Sequence, residues 1–314
     1  MTDPASLLNE MTKAMMDKVL RAGVTPLYQQ TVDQARLSYS KGVGAMCGPM
    51  EALPRVEDFT IPGPAGAIPA RLWAPTDAPG LPVLLYLHGG GFVVGGLDTC
   101  EAMCRRIALQ SGAAVVAIDY RLAPEHRFPA ALDDSFAALT WLAEQGATVG
   151  LDPRRIAVGG DSAGGTLAAS VALMARDHGI KLALQVLFYP SVRPSAVSES
   201  FKAFSKDMML DAELMRWFEQ HARGPGFKTD WRREPFKAES HEGVAPAWIG
   251  LAQCDPLVDE GGLYAELLTQ AGVPVELRVW PGVVHDFINM GRFIPQAYEA
   301  HHAVAQALKL AFGL

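Results

Sequence analysis

Three residues far apart in this chain have the types that nucleophilic catalysis needs, and each stands where an apolar run ends. Ser162 lies in Gly160-Asp161-Ser162-Ala163-Gly164-Gly165, between the strand-like run Arg155 to Gly159 and a helix-like stretch from Thr166 to Ala175. A serine with glycines two positions to either side has the G-x-S-x-G form of a nucleophile elbow. The turn is so sharp that the serine takes strained dihedrals, and a Cβ at position 160 or 164 would crowd the close approach of the chain. The hydroxyl is left at a helix N-terminus, where amide N–H groups favour developing negative charge. Such a serine needs a base and an acid to orient that base. Asp255 follows the apolar run Ala247 to Ala252, whereas its rivals Asp259 and Glu260 read as first-turn companions of the next helix. His285 lies in the loop Pro281 to Phe287, after the alternating run Pro274 to Trp280. Of the other histidines, His88 and His126 read as structural hydrogen-bonders, and His178, His221, His241, His301 and His302 have polar, solvated surroundings. The chain order Ser162, Asp255, His285 differs from the orders of the two large serine protease classes.

An attacked carbonyl also needs donors for its oxyanion. The apolar run Pro82 to Leu87 leads into His88-Gly89-Gly90-Gly91-Phe92, where successive glycines let backbone amides point inward without side chains in the way. Gly89, Gly90 and Ala163 are the candidate donors, and losing one such donor typically costs about 10²–10³ in rate. A phosphate-binding loop fits poorly, because a dinucleotide fingerprint would need glycine where Val94 stands, and no G-x-x-x-x-G-K-[ST] occurs.

The elements that must position these groups alternate. Strands are expected near 55–61, 67–74, 82–88, 113–119, 155–159, 182–189, 246–252 and 274–280, with helices between most of them from Pro82 onward. That alternation argues for a mostly parallel eight-stranded sheet covered on both faces. Asp3-Pro4 starts an amphipathic helix whose face carries Leu8, Met11, Met15 and Val19, and a Gly/Pro-rich passage from Gly42 to Pro54 follows. The rhythm breaks between Pro190 and Pro246, where an amphipathic piece runs from Asp211 to His221.

With 314 residues, 49% of them apolar, the chain can bury the core of one large domain spanning 1–314. A dispersed net charge of −7 and isolated arginine pairs at 105–106, 154–155 and 232–233 argue against nucleic acid and anionic membranes as partners. No apolar run approaches the roughly 18–20 residues of a membrane span, and Asp3, Glu10 and Asp17 do not suit a secretory signal. Four cysteines then read as reduced thiols in the cytoplasm. Cys100 and Cys104 lack further metal ligands nearby and read as buried hydrophobes, and Cys254 has no constellation of its own, so no metal is expected.

Taken together, His88-Gly89-Gly90-Gly91-Phe92, Asp119-Tyr120-Arg121-Leu122-Ala123-Pro124-Glu125, Gly160 to Gly165, Asp255 to Gly261 and His285-Asp286-Phe287 resemble the bacterial hormone-sensitive-lipase-like esterases (family IV, GDSAGG branch) of the α/β-hydrolase superfamily. The resemblance covers roughly 55–314, with Phe92 where a Trp is common and Thr166 where Asn is common. It implies the α/β-hydrolase fold with a helical cap from about 1–50 and about 191–235, bearing Met15, Met16, Phe204, Met208 and Met209. It implies a triad of Ser162, Asp255 and His285, and oxyanion amides at Gly89, Gly90 and Ala163. Phe92, Met208, Met209, Leu257 and Phe287 are the candidate pocket residues. The expected activity is hydrolysis of small esters with short to medium acyl chains through an acyl-enzyme, without a metal or organic cofactor. An amidase, lactonase or deacetylase would use the same triad, and a receptor on the hydrolase scaffold would be expected to lack the histidine that stands at His285. A homodimer through the edge strand near 274–280 is a further expectation.

Overall fold

The computed structural model describes residues 4–192, 197–224 and 226–314. Eight strands form one sheet in the order β1-β2-β4-β3-β5-β6-β7-β8. They are β1 (Arg55–Gly63), β2 (Gly66–Ala74), β3 (Leu81–Leu87), β4 (Ala114–Ile118), β5 (Leu151–Asp161), β6 (Gln185–Phe188), β7 (Ala247–Cys254) and β8 (Val275–Val284). The β1–β2 and β2–β4 pairs are antiparallel, and the rest are parallel. Parallel strands in the middle of such a sheet are covered on both faces and therefore read as continuous apolar runs. Val83 to Leu87 and Ala114 to Ile118 are accordingly fully buried.

The helices are α1 (Glu10–Arg21), α2 (Val32–Met46), α3 (Leu97–Ser111), α4 (Ala130–Gln145), α5 (Ala163–Asp177), α6 (Glu199–Phe204), α7 (Ala212–Arg223), α8 (Val258–Gln270) and α9 (Gln296–Phe312). None of them in the described residues is long and apolar enough to cross a membrane. The chain leaves β3 toward β4 and leaves β5 toward β6, on opposite sides of the β3–β5 pair. That reversal opens a crevice beyond the carboxyl ends of these two strands, where open parallel sheets place ligands.

The N-terminal segment departs from expectation. Asp3 lies outside the described residues; a single 3₁₀ turn runs from Pro4 to Leu7, and the amphipathic helix itself starts after Asn9, its N-cap, whose Oδ1 accepts the Thr12 N–H at 2.9 Å. Its buried face is Thr12, Met15 and Met16, while Met11 is exposed. Gly42 and Gly44 do not break the chain but lie inside α2, started by a capping box of Thr31 and Gln34 and held by buried Ala35 and Val43. Glycine costs roughly 1 kcal/mol in a helix interior, which a good cap and a packed face offset. The break after Pro190 carries α6 and α7, apart from 193–196 and 225, which lie outside the described residues.

Candidate active site

Strand register brings the predicted residues together. Leu87 pairs with Gly160, so the glycine loop after β3 lies beside the turn after β5. Cys254 pairs with Val284, which sets Asp255 beside His285. At the elbow Ser162 has φ +53°, and its N–H is tied to the Phe188 carbonyl at 2.9 Å. A Cβ on Gly164 would stand 1.9 Å from the Leu87 carbonyl oxygen, and one on Gly160 would stand 2.4 Å from the Gly164 backbone. Both glycines are therefore required by the backbone's approach to itself.

The Ser162 hydroxyl donates to His285 Nε2 at 2.9 Å, and His285 Nδ1–H donates to Asp255 Oδ2 at 2.6 Å. Asp255 is fully buried, and its Oδ1 accepts the Leu257 N–H at 2.9 Å, which fixes the carboxylate plane. The Tyr189 ring packs against the imidazole at a centroid distance of 4.6 Å. Burial presses the His285 pKa down, but the charge and hydrogen bond of Asp255, with Asp286 and Asp161 behind it, more than offset this. The net result lies above the ordinary histidine value. Asp286 takes the left-handed backbone conformation and accepts a bond from Asn289 Nδ2 at 2.7 Å. Its pKa is pushed up to about 7, mainly by burial and then by the charge of Asp161.

The glycine loop corrects one expectation. The Gly89 N–H is donated to Asp161 Oδ1 at 3.0 Å, and the Tyr86 hydroxyl donates to the same oxygen at 2.7 Å. Gly89 is thus committed to holding the loop and is not an available oxyanion donor. The N–H groups of Gly90 and Ala163 have no acceptor among the described residues and remain free to take an oxyanion. Asp161, buried behind the serine, was missed as a functional residue because it fills a variable position of the elbow motif. Tyr120 completes the support by stacking on His88 at 4.2 Å and donating to its carbonyl at 2.6 Å. From α2, the Arg36 guanidinium reaches the Val93 carbonyl at 2.9 Å and pairs with Glu125. The run Asp119 to Glu125 carries these partners and was the available signal.

The rivals have other work. Asp259 accepts the Ser200 N–H at 2.8 Å, tying α6 to α8, and Glu260 is buried in α8. His241 and His301 are not solvated as expected but buried, with Nε2 on the Pro235 and Ile288 carbonyls at 2.9 Å each. Burial takes the His301 pKa down to about 3. Their polar neighbours in sequence point elsewhere, so local composition misled.

A narrow, partly open cavity, with about 20 Å³ accessible to the centre of a water molecule, lies beside the loop and α5. Phe92 lines it, with Thr166, Leu167, Ala222 and Arg233, but Met208, Met209, Leu257 and Phe287 do not. Met208 is buried and Met209 half-buried between α6 and α7, Leu257 serves Asp255, and Phe287 is core, packed on Tyr189 and Trp280. Thr166 donates to the Ser191 carbonyl at 2.7 Å, so its hydroxyl is already engaged. The α7 helix lies over the loop, with the Phe218 ring against Gly91. A serine hydroxyl bonded to an imidazole of raised pKa, a buried carboxylate that orients this imidazole and amides without an acceptor are together equipped for acyl transfer.

Residues 84–289 match the family model described as the alpha/beta hydrolase fold. An ethyl acetate hydrolase of Pseudomonas putida is 39% identical over 293 residues, 91% of this chain and 92% of its own. An esterase of Mycobacterium tuberculosis is 41% identical over 311 residues, covering 92% of this chain and 96% of its own. The solved structure of a mutant α/β-hydrolase enzyme from the metagenome of Lake Arreo, Spain, matches with a TM-score of 0.95 at 36% identity, covering 98% of this chain and 100% of that one.

Proposed function

The chain belongs to the hormone-sensitive-lipase-like esterases of the α/β-hydrolase superfamily, and from that premise we propose that it is a carboxylesterase working through Ser162, His285 and Asp255. The observation that carries this reading is the continuous hydrogen-bond chain from the Ser162 hydroxyl through His285 to Asp255. Ser162 attacks the ester carbonyl as its proton passes to His285 Nε2. The oxyanion of the tetrahedral intermediate is received by the N–H groups of Gly90 and Ala163. His285 returns the proton to the departing alcohol, and water repeats the sequence on the acyl-enzyme. Asp255 holds the imidazole tautomer and stabilises its charged form.

The helices α1, α2, α6 and α7 serve as the cap over this site, which keeps water from the acyl-enzyme and shapes the pocket. Four free thiols suit a reducing compartment, which supports a cytoplasmic enzyme. The narrow, mostly apolar cavity favours short to medium acyl chains. With p-nitrophenyl acetate, butyrate, octanoate and palmitate, kcat/KM is expected to peak at butyrate or octanoate and to collapse at palmitate. Folded protein inert toward all four would sink the esterase reading, and a maximum at palmitate would sink the pocket size.

β8 is an edge strand that exposes Leu277 and Val279, an apolar strip that supports pairing of two copies. Light scattering is expected to give twice the chain mass, and a Val279→Lys variant the single mass. A monomeric wild type at micromolar concentration removes the dimer.

A further inference from the structure

Arg233 is one of the least exposed charged residues in the chain, with only 3% of its surface accessible, although its neighbours in sequence are polar. Its guanidinium carbon lies 4.3 Å from the centre of the Phe92 ring, and both side chains line the cavity beside the glycine loop. Glu219 of α7 takes one nitrogen, Nη2. The other two, Nε and Nη1, are buried without an acceptor among the described residues. Arginine has only donors to offer, and buried donors of a charged group are rarely left unpaired.

The neighbouring charges are otherwise engaged. Arg232 is held by Asp230 at 2.7 Å. Arg223 and Lys237 pair with Glu234, and Arg223 also pairs with Glu219. The rest of the cavity wall is largely apolar, including Ala123, Leu132, Leu167 and Ala222. Such a wall with uncommitted cationic donors matches a short hydrocarbon segment that carries an oxygen acceptor.

The cavity also has a side. Thr166 stands one helical turn from Ser162, with its N–H on the Ser162 carbonyl at 3.0 Å, and Phe92 closes the glycine loop that carries Gly90. No residue next to His285 or Asp255 in sequence lines the cavity. The leaving alcohol must sit within reach of His285 Nε2, which leaves a cavity on the Thr166 and Phe92 side available to the acid part of the ester.

We propose that Arg233 is a specificity-determining residue, receiving a ketone or carboxylate oxygen on the acyl chain, so that oxo-acid or dicarboxylic half-esters are preferred over plain alkanoates. This rests on the esterase reading and names its substrate class.

The test uses three p-nitrophenyl esters of equal chain length: pentanoate, 4-oxopentanoate and the glutarate half-ester. The quantity read is the ratio of kcat/KM for each oxygenated ester to that for pentanoate, within one preparation, which cancels the amount of active protein. An Arg233→Met variant is expected to lower at least one ratio about tenfold or more, chiefly through KM, because a site built to pair a substrate oxygen loses that preference with the donor. A fall for glutarate alone identifies the carboxylate as the partner, and a fall for 4-oxopentanoate alone identifies the ketone. Arg233→Met paired with Glu219→Gln, which leaves no carboxylate stranded, is expected to show the same ratios. Ratios unchanged in both variants, with pentanoate still hydrolysed, overturn the proposal and leave the esterase intact. Wild-type protein that hydrolyses none of the three removes both.

Discussion

A Ser162→Ala variant is expected to lose about 10⁵- to 10⁶-fold in kcat toward p-nitrophenyl butyrate while melting within a few degrees of the wild type. The size of the loss follows from removing the covalent route, since residual turnover must come from water attacking a carbonyl that is bound and polarised but not acylated. Small change in stability is expected for local reasons. Alanine keeps the Cβ that Ser162 already carries at φ +53°, so no new backbone strain enters, and the one side-chain bond lost is that to His285. A double variant that also replaces His285 by Ala should be no slower than the single one, because groups acting as a unit are not additive. Activity within tenfold of wild type would remove Ser162 as nucleophile.

Replacing Asp255 by Asn should lower kcat about 10⁴-fold, comparable to the loss of the orienting carboxylate in a serine protease triad. The same variant should also move the acid limb of the pH profile. In the wild type His285 is held above the ordinary histidine value of about 6.5, because Asp255 outweighs the effect of burial. The base works only when neutral, so kcat/KM should fall as pH drops through a value above that reference. Without the Asp255 charge, burial acts against only the smaller effects of Asp286 and Asp161, and the limb shifts to lower pH. Profiles of both proteins between pH 5 and 9 check this. A limb at the same pH in both would show that Asp255 does not set the basicity of His285.

The meeting of Ser162, Asp255 and His285 was legible because each follows a run that reads locally as a strand, and parallel strands deliver their carboxyl ends to one edge. The sheet was legible for the same reason. What escaped depends on contacts between distant segments. Asp161 holds Gly89 across 72 positions, and no periodicity in either segment reports it. Met11 and Thr12 exchange places because a helix face is set by what it packs on, and hydropathy alone favours the methionine. Arg233 reads as one half of an isolated arginine pair, and the fold turns it inward against Phe92. Gly42 and Gly44 read as breakers because propensity is local, whereas α2 is held by its cap and its buried face.

The bond from the Gly89 N–H to Asp161 has an entropic side. Holding a backbone residue in one conformation costs on the order of 1–2 kcal/mol, and more for glycine, the freest residue in an unfolded chain. In the run Gly89 to Gly91 that ordering is met once, when the chain folds and Asp161 and Tyr86 close beneath the loop. In the proposed reaction each substrate then finds the amides of Gly90 and Ala163 already immobile. None of the substrate's binding energy is diverted to freezing them, and the enzyme's thermodynamic stability is where the expense appears.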